Sequence, residues 1–263
     1  MAHEAFLSFG NGLRQTLAAG IHRLMTIVLL GGADQIWTST PEVEKRLRSY
    51  LFGRRVPFRS LPIPSAIPVL EDPVRVCRVR ERYVGQQVLV GHFGTYGESI
   101  TTMLEPILSG LCNRTPVYSF LLMGRGSESF RQKLIGKAPH CAAWVHATGS
   151  LAPDELSHHI AACDILLQPY PEGVNTRRSS LMAGLCHGKP IVTTFGPLTE
   201  MVWREGHAVA MAAPGDTNSA MDLMEKLRSD TSERARMGQA AQTLYDSQFA
   251  ISHTVEKLRG QAR

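Results

Sequence analysis

Residues Ala162 to Gly196 read ACDILLQPYPEGVNTRRSSLMAGLCHGKPIVTTFG, and their pattern indicates the fold class. Its apolar runs, punctuated by proline and glycine, predict a buried strand, a polar loop, a helix of small residues and a second strand. In this order the amino end of the helix follows the carboxyl end of a buried strand, where open α/β sheets bind phosphorylated ligands. The segment therefore predicts a parallel α/β sheet with an anion-binding loop.

The loop between that strand and helix is rich in hydrogen-bonding groups. Its candidate binding residues are Glu172, Gly173, Asn175, Thr176, Arg177, Arg178, Ser179 and Ser180. Free backbone N–H groups, hydroxyls and guanidinium forks bind a diphosphate, and a nearby carboxylate accepts hydrogen bonds from sugar hydroxyls. From the loop alone, a solvated surface loop with two ordinary arginines is an equally good interpretation.

From Gln87 onward the chain alternates strands with helices. The predicted strands are Gln87–Phe93, Val117–Met123, Ala143–Thr148, Ile165–Gln168, Ile191–Thr194 and Ala208–Ala212. Helical windows lie between them, and two further helices are predicted near Asp216–Arg228 and Thr231–Arg259. This alternation is typical of a doubly wound parallel sheet, so the fold class is α/β and Rossmann-like.

The first part of the chain carries a different pattern. A helix is predicted from Leu13 to about Leu30, and the apolar run Leu24–Ala33, too short to span a bilayer, indicates a buried helix end. A strand follows, and then a helix capped by Ser39 or Thr40 with Pro41 at its first position. The proline-rich stretch Leu61–Pro68 predicts an extended crossing between domains.

Seven segments, in this order, resemble a known family. They are ADQIWTSTPEVEKRL, LPIPSAIPV, VLVGHFGTYG, YSFLLMGRGSESF, VHATGSLAPDELSHHIAACDILLQPYPEG, HGKPIVTTFG and YDSQFAISHTVEKLRG, which begin at residues 33, 61, 88, 118, 145, 187 and 245. Together they resemble the retaining nucleotide-sugar glycosyltransferases of glycosyltransferase family 4 (group 1), mainly their C-terminal, donor-binding domain. The resemblance implies the two-domain GT-B fold.

The resemblance also implies an organisation into domains. Residues 1–66 would be a remnant of the N-terminal, acceptor-side domain with the interdomain crossing, and residues 67–263 the nucleotide-sugar-binding domain, whose last helix returns toward the first. A truncated gene model or expressed fragment would explain such a remnant, because a lone βα unit buries little apolar surface. The alternative is that residues 1–60 simply extend the second domain.

The implied function is transfer of a hexose from a UDP- or GDP-sugar to a saccharide or lipid-linked acceptor with retention. No cofactor and no metal is expected, because arginines and backbone dipoles would neutralise the diphosphate. Two alternatives stay open. One is a nucleotide-binding module without catalysis, and the other is a different GT-B enzyme such as a sugar-nucleotide epimerase.

Candidate site residues follow from the resemblance and from local patterns. The loop Gly94-Thr95-Tyr96-Gly97 lies between a predicted strand and helix, so its amides could face the donor phosphates, although a tight turn explains its glycines equally well. The Arg and Lys that family members often carry here are replaced by His92 and Gly97. Arg177 and Arg178, with Arg125 as a third candidate, would then supply the positive charge.

Two candidate catalytic residues are carried over by resemblance alone. Glu172 resembles the first carboxylate of the family's Glu-x7-Glu motif and would contact the donor sugar together with Gly173. The second carboxylate is missing, because Ser180 or Ala183 stands at its position, depending on the alignment. His3 resembles a catalytic histidine near a strand end, although a histidine so close to a terminus is more often a tail residue.

Composition narrows the remaining classes of function. The five cysteines are dispersed without metal-ligand spacing, which favours reduced, buried thiols in a cytoplasmic protein over a zinc or disulfide site. The net charge of +5 comes with basic clusters at Lys45–Arg55 and Arg75–Arg82. No nucleic-acid recognition element accompanies them. They indicate a solvated basic face or a peripheral contact with anionic lipid at the inner face of the membrane.

Overall fold

The computed structural model describes residues 12–85, 87–114 and 117–260. Its helices are α1 (Leu13–Gly32), α2 (Pro41–Arg48), α3 (Pro73–Tyr83), α4 (Glu98–Cys112), α5 (Ser127–Lys137), α6 (Pro153–Ala162), α7 (Ser179–Cys186), α8 (Met201–Glu205), α9 (Thr217–Ser229), α10 (Thr231–Gln248) and α11 (Ile251–Arg259). Its strands are β1 (Ile36–Thr38), β2 (Phe58–Ser60), β3 (Val88–Phe93), β4 (Tyr118–Met123), β5 (Val145–Ala147), β6 (Ile165–Gln168), β7 (Ile191–Thr194) and β8 (Ala210–Ala212).

The chain divides into two compact units. The smaller unit holds the described residues up to Ile63 and those from Ser252 onward, and the larger unit is Pro64–Ile251. In the smaller unit β1 and β2 pair in parallel, and α2 begins as the sequence predicts, with the Thr40 hydroxyl accepting the Val43 N–H. Most of α11 belongs to this unit, where the Thr254 hydroxyl donates to the Pro62 carbonyl.

The larger unit is built on a six-stranded parallel sheet in the order β5-β4-β3-β6-β7-β8. Alternate residues of β3 face opposite sides, so Val90 packs in a core with α4, α5 and α9, while Leu89 packs in a second core with α6, α7 and α10. The order of connection reverses between β3 and β6. This reversal is the topological switch point at which doubly wound sheets open a crevice beyond their strand ends.

Several expectations are corrected by the structure. The helix end at Leu24–Ala33 is buried on one side only: Thr26 and Leu30 are buried, whereas Leu24 is 63% exposed and Leu29 is 71% exposed. Cys77 is exposed, while the other four thiols are buried as expected. The predicted helix over Thr231–Arg259 breaks at Phe249 into α10 and α11. None of the described helices is long and apolar enough to cross a bilayer.

Helix α3 was not predicted at all, because its residues read as a basic cluster rather than as an amphipathic helix. The Asp72 carboxylate caps it by accepting the Arg75 N–H. On its inner side the Arg80 guanidinium donates to the Ala162 carbonyl and to the Asp164 carboxylate at 2.9 Å. The basic residue therefore joins α3 to the carboxyl end of α6, and part of this cluster is structural.

Candidate functional site

A cavity of about 500 Å³ opens beyond the carboxyl ends of β3, β4 and β6, within the larger unit. It lies at the switch point of the sheet. Its polar lining includes His92, Thr95, Arg125, Ser150, Gln168, Tyr170, Arg177, Arg178, Ser179 and Ser180. Three of these residues are arginines, and none of the described lining residues is acidic, so the cavity favours an anionic ligand.

The first part of the loop after β6, residues 172–176, is held by other parts of the fold, and we name it the closed segment. The Thr194 hydroxyl accepts the Tyr170 N–H and donates to the Tyr170 carbonyl, while the Thr194 carbonyl accepts the Val174 N–H. Gly173 has a φ of +88° and lies against Gly196, where a Cβ would approach the Gly196 nitrogen to 2.3 Å. Only glycine fits there.

A carboxylate from outside the loop completes this arrangement. Glu200 accepts the Thr176 N–H at 2.7 Å and the Thr176 hydroxyl at 2.6 Å. The same carboxylate accepts the indole N–H of Trp203 at 2.9 Å. Thr176 is therefore bound within the protein, and it does not line the cavity.

Residues 177–180, which are the end of the loop and the first two residues of α7, line the cavity, and we name them the open segment. Asn175 shapes its start: the side-chain oxygen accepts the Arg177 N–H at 3.1 Å, and the main-chain carbonyl accepts the Arg178 N–H at 3.2 Å. The main-chain amides of Gly173, Val174, Thr176, Arg177 and Arg178 are all bonded internally. The sequence-based expectation that the loop offers free amides is therefore wrong at these five positions.

Arg178 is the cation most firmly positioned at the cavity. Its guanidinium carbon lies 4.6 Å from the ring centre of Tyr170, a cation–π geometry, and its side chain is 25% exposed. The Nε atom is buried and has no hydrogen-bond partner among the described residues. Burial, followed by the positive charge of Arg177, lowers the pKa of Arg178. An anion bound in the cavity would oppose both effects, because it would stabilise the charged guanidinium.

Glu172 makes only a weak approach to this arginine. Its carboxylate lies 3.7 Å from the Arg178 Nη2, and its side chain is 57% exposed. It does not line the cavity. At this exposure the pair contributes at most about 1 kcal/mol to stability.

The loops after β3 and β4 form the other side of the cavity. Gly124 has a φ of +115°, and a Cβ there would lie 2.2 Å from the Gly94 carbonyl oxygen, so the two loops touch through their backbones. This contact sets Arg125 at the rim of the cavity, together with Thr95. Tyr96 instead packs against Phe130, with 5.5 Å between ring centres, and its hydroxyl donates to the His92 carbonyl.

The floor of the cavity is formed by two buried polar side chains, His92 on β3 and Gln168 at the end of β6. His92 is 4% exposed and Gln168 is fully buried. The His92 Nδ1 lies 2.8 Å from the Leu167 carbonyl. The His92 Nε2 and both amide atoms of Gln168 have no partner among the described residues. Burial lowers the pKa of His92 to about 4.

The structure brings seven of the thirteen predicted binding residues together. The predicted residues that line the cavity are Gly94, Thr95, Arg125, Arg177, Arg178, Ser179 and Ser180. Those that do not line it are Tyr96, Gly97, Glu172, Gly173, Asn175 and Thr176. His3 lies outside the described residues. Within the described ranges, no three His, Cys, Asp or Glu side chains are grouped as metal ligands.

Sequence reasoning missed Glu200 and Gln168, and it gave His92 no binding role. No local pattern marks Glu200, because it follows β7 in a separate loop. Gln168 offered one clue, since a glutamine ends an otherwise apolar buried strand. In the HGKP motif, the half-buried Lys189 ammonium donates to the Cys163 carbonyl at 2.9 Å, and the His187 Nε2 lies 3.0 Å from the Ser157 hydroxyl. This motif ties helices together outside the cavity.

Comparisons with known proteins agree on the fold. Residues 86–230, more than half of the chain, match the family model described as glycosyl transferases group 1. No curated protein sequence matches the chain. Among solved structures, HepE of Anabaena in complex with UDP superposes with a TM-score of 0.75 at 16% identity, over 99% of this chain and 71% of that one.

Two further solved structures are similar. Sucrose-phosphate synthase of Thermosynechococcus elongatus gives a TM-score of 0.75 at 14% identity, over 99% of this chain and 67% of that one. WaaG, a glycosyltransferase involved in lipopolysaccharide biosynthesis, gives 0.70 at 15% identity, over 94% and 67%. The predicted doubly wound parallel sheet of GT-B type is confirmed by these similarities and by the strand order.

Proposed function

Because the chain belongs to the glycosyl transferases group 1 family, we propose that its larger unit binds the diphosphate of a UDP- or GDP-sugar in the cavity beyond β3, β4 and β6. The hexose of that donor would be transferred with retention to a saccharide or lipid-linked acceptor. One observation carries the proposal: three arginines and no acidic residue stand among the described residues that line this cavity.

The proposed role of the arginines follows from the charge that develops in the reaction. As the glycosidic bond breaks, the leaving nucleoside diphosphate gains negative charge. Guanidinium groups held in place before the reaction stabilise that charge more than they stabilise the bound donor. Arg178 suits this role because Tyr170 and burial fix its position, and because its Nε has no partner among the described residues. Arg177 and Arg125 would add to the same field.

The first test is a thermal-shift titration with UDP, UDP-glucose, GDP and GDP-glucose. We expect at least one of these four ligands to raise the Tm of the wild-type chain. The double variant Arg177→Ala/Arg178→Ala should bind that ligand at least about a hundredfold more weakly, because charge-assisted hydrogen bonds contribute about 1.5–3 kcal/mol each.

The matched control removes the same charge elsewhere on the larger unit. Arg78 and Arg204 are exposed and lie outside the cavity, so Arg78→Ala/Arg204→Ala should leave the Tm shift unchanged. Equal loss in both double variants would mean that net charge, rather than this cavity, governs binding. An unchanged shift in the Arg177/Arg178 variant would remove those residues from the diphosphate site.

A second candidate, nucleotide binding without transfer, is favoured by two observations. No carboxylate is found among the described residues that line the cavity, and a buried alanine, Ala183, stands at one alignment of the missing second glutamate. Binding and transfer therefore need separate measurements. Release of sugar from the donor that gives the largest Tm shift would separate the two candidates.

A further inference from the structure

The two buried side chains on the cavity floor, His92 and Gln168, are not used by the proposed diphosphate site. In the described part of the chain, the His92 Nε2 and both amide atoms of Gln168 lack any hydrogen-bond partner. Leaving three such atoms buried costs free energy in the unliganded protein. Groups of this kind are retained where a ligand supplies the missing partners.

The hydrogen bond at Nδ1 determines what the His92 ring can bind. The Leu167 carbonyl, 2.8 Å from Nδ1, can only accept, so Nδ1 carries the proton and donates it. In the neutral ring Nε2 is then a lone-pair acceptor, and burial, which lowers the pKa of His92 to about 4, keeps the ring neutral near pH 7. His92 therefore requires a ligand atom that donates.

Some parts of a nucleotide sugar meet this requirement for a donor, and others do not. The oxygens of an ionised diphosphate carry no proton to donate, so they do not suit the neutral Nε2. A sugar hydroxyl donates one hydrogen bond and accepts others, and Gln168 can both donate to and accept from such a group. Because both residues line one cavity, two hydroxyls of one ring could satisfy the three unpartnered atoms.

We infer that His92 and Gln168 form a hydroxyl-binding floor that selects the donor by the sugar hydroxyls it carries, while the arginines of the rim hold the diphosphate. This inference rests on the proposed function. The hydroxyls belong either to the hexose or to the ribose of the donor, and both supply the same chemistry.

The test uses Gln168→Met, which keeps the side-chain length and removes both polar atoms. Three probes differ in the sugar hydroxyls that they carry. Inorganic pyrophosphate has none, UDP has those of the ribose, and UDP-glucose has those of the ribose and the hexose. We expect the variant to bind pyrophosphate as the wild type does and to bind UDP-glucose about tenfold more weakly. Its Tm without ligand should rise by about 2–4 °C, because an unsatisfied buried group is removed.

A rise in Tm combined with a loss of binding is a pattern that a structural residue does not give. Ser119→Ala provides the contrast, since the Ser119 hydroxyl is buried and donates to the Tyr83 carbonyl at 2.7 Å, away from the cavity. That variant should lower the Tm and leave binding unchanged. A second variant of the cavity floor, His92→Asn, keeps a donor for the Leu167 carbonyl and removes Nε2. It should weaken the binding of UDP-glucose in the same way.

The results with these probes distinguish the hexose from the ribose as the source of the bound hydroxyls. Weakening confined to UDP-glucose supports the inference with the hexose as the source. Equal weakening of UDP and UDP-glucose that vanishes with 2′,3′-dideoxy-UDP supports it with the ribose as the source. Equal weakening of pyrophosphate, or no weakening of any probe, overturns the inference while the proposed function stands. If the wild type binds none of the nucleotide ligands, the proposed function fails, and the inference fails with it.

Discussion

The closed segment, residues 172–176, is followed directly by the open segment, residues 177–180. Both are rich in polar and charged groups, but the first is bonded within the protein and the second lines the cavity. In the closed segment the hydrogen-bonding groups are taken by Thr194, Glu200 and the backbone near Gly196. All residues of the open segment line the cavity. Tertiary partners, rather than residue type, therefore determine which part of a polar loop can contact a ligand.

The largest expected effect comes from breaking the closed segment at Gly173. We expect Gly173→Ala to lower the free energy of unfolding by about 3 kcal/mol or more, because alanine disfavours a φ of +88° and its Cβ would overlap the Gly196 nitrogen and the Thr199 hydroxyl. Urea denaturation measures the change. In the open segment the exposed Ser179→Ala should change stability by about 0.5 kcal/mol or less. Equal losses of stability in the two variants would show that the closed segment is held no more tightly than the open segment.

A smaller effect follows from removing the carboxylate that keeps Thr176 closed. We expect Glu200→Ala to cost about 2 kcal/mol, since the Thr176 N–H and hydroxyl and the Trp203 indole all lose a charged acceptor. Glu205→Ala is the control, because Glu205 is exposed on α8 and its removal changes the net charge equally. If both variants unfold at the same urea concentration, Glu200 does not hold the segment.

Much of the larger unit could be predicted from the sequence, for a physical reason. Buried strands such as β6 and β7 are continuous apolar runs bounded by proline or glycine, and both were predicted with the bounds that the structure shows. Helix α3 was not predicted because its arginines dominate the segment, although Val76, Val79 and Tyr83 form a short apolar stripe that packs on the second core. The contact of Arg80 with the distant Asp164 also holds the helix in place. Strand β2 was not predicted because its three residues, which pair with β1, are too few to show a strand periodicity.

The site was less predictable than the fold. The arginines of the open segment could be named from their position after a strand, because the carboxyl ends of parallel strands share one edge. That the Val174 and Thr176 amides are already bonded could not be seen, since their acceptors, Thr194 and Glu200, lie 20 or more residues away. The amides of Gly173, Arg177 and Arg178 are bonded locally, to Tyr170 and Asn175. His92 and Gln168 could not be paired from the sequence, because only the strand order places β3 beside β6.

The smallest expected effect lies at the boundary between the two segments, where the Glu172 carboxylate stands 3.7 Å from Arg178. We expect Glu172→Gln to change the free energy of unfolding by about 0.5 kcal/mol or less, since the carboxylate is largely exposed and screened. Because Glu172 does not line the cavity, the affinities for UDP and UDP-glucose should both stay within about threefold of the wild type.

Isothermal titration with both ligands tests this, with Glu205→Gln as the variant of equal charge change. A loss of affinity for UDP-glucose alone would show that Glu172 reaches the hexose, the role that its resemblance to the family motif implies. The closed segment would then have to rearrange when the donor binds, because its carboxylate does not line the cavity. Unchanged binding would instead leave sugar recognition to residues that already line the cavity, and Glu172 would act only as a weak partner of Arg178.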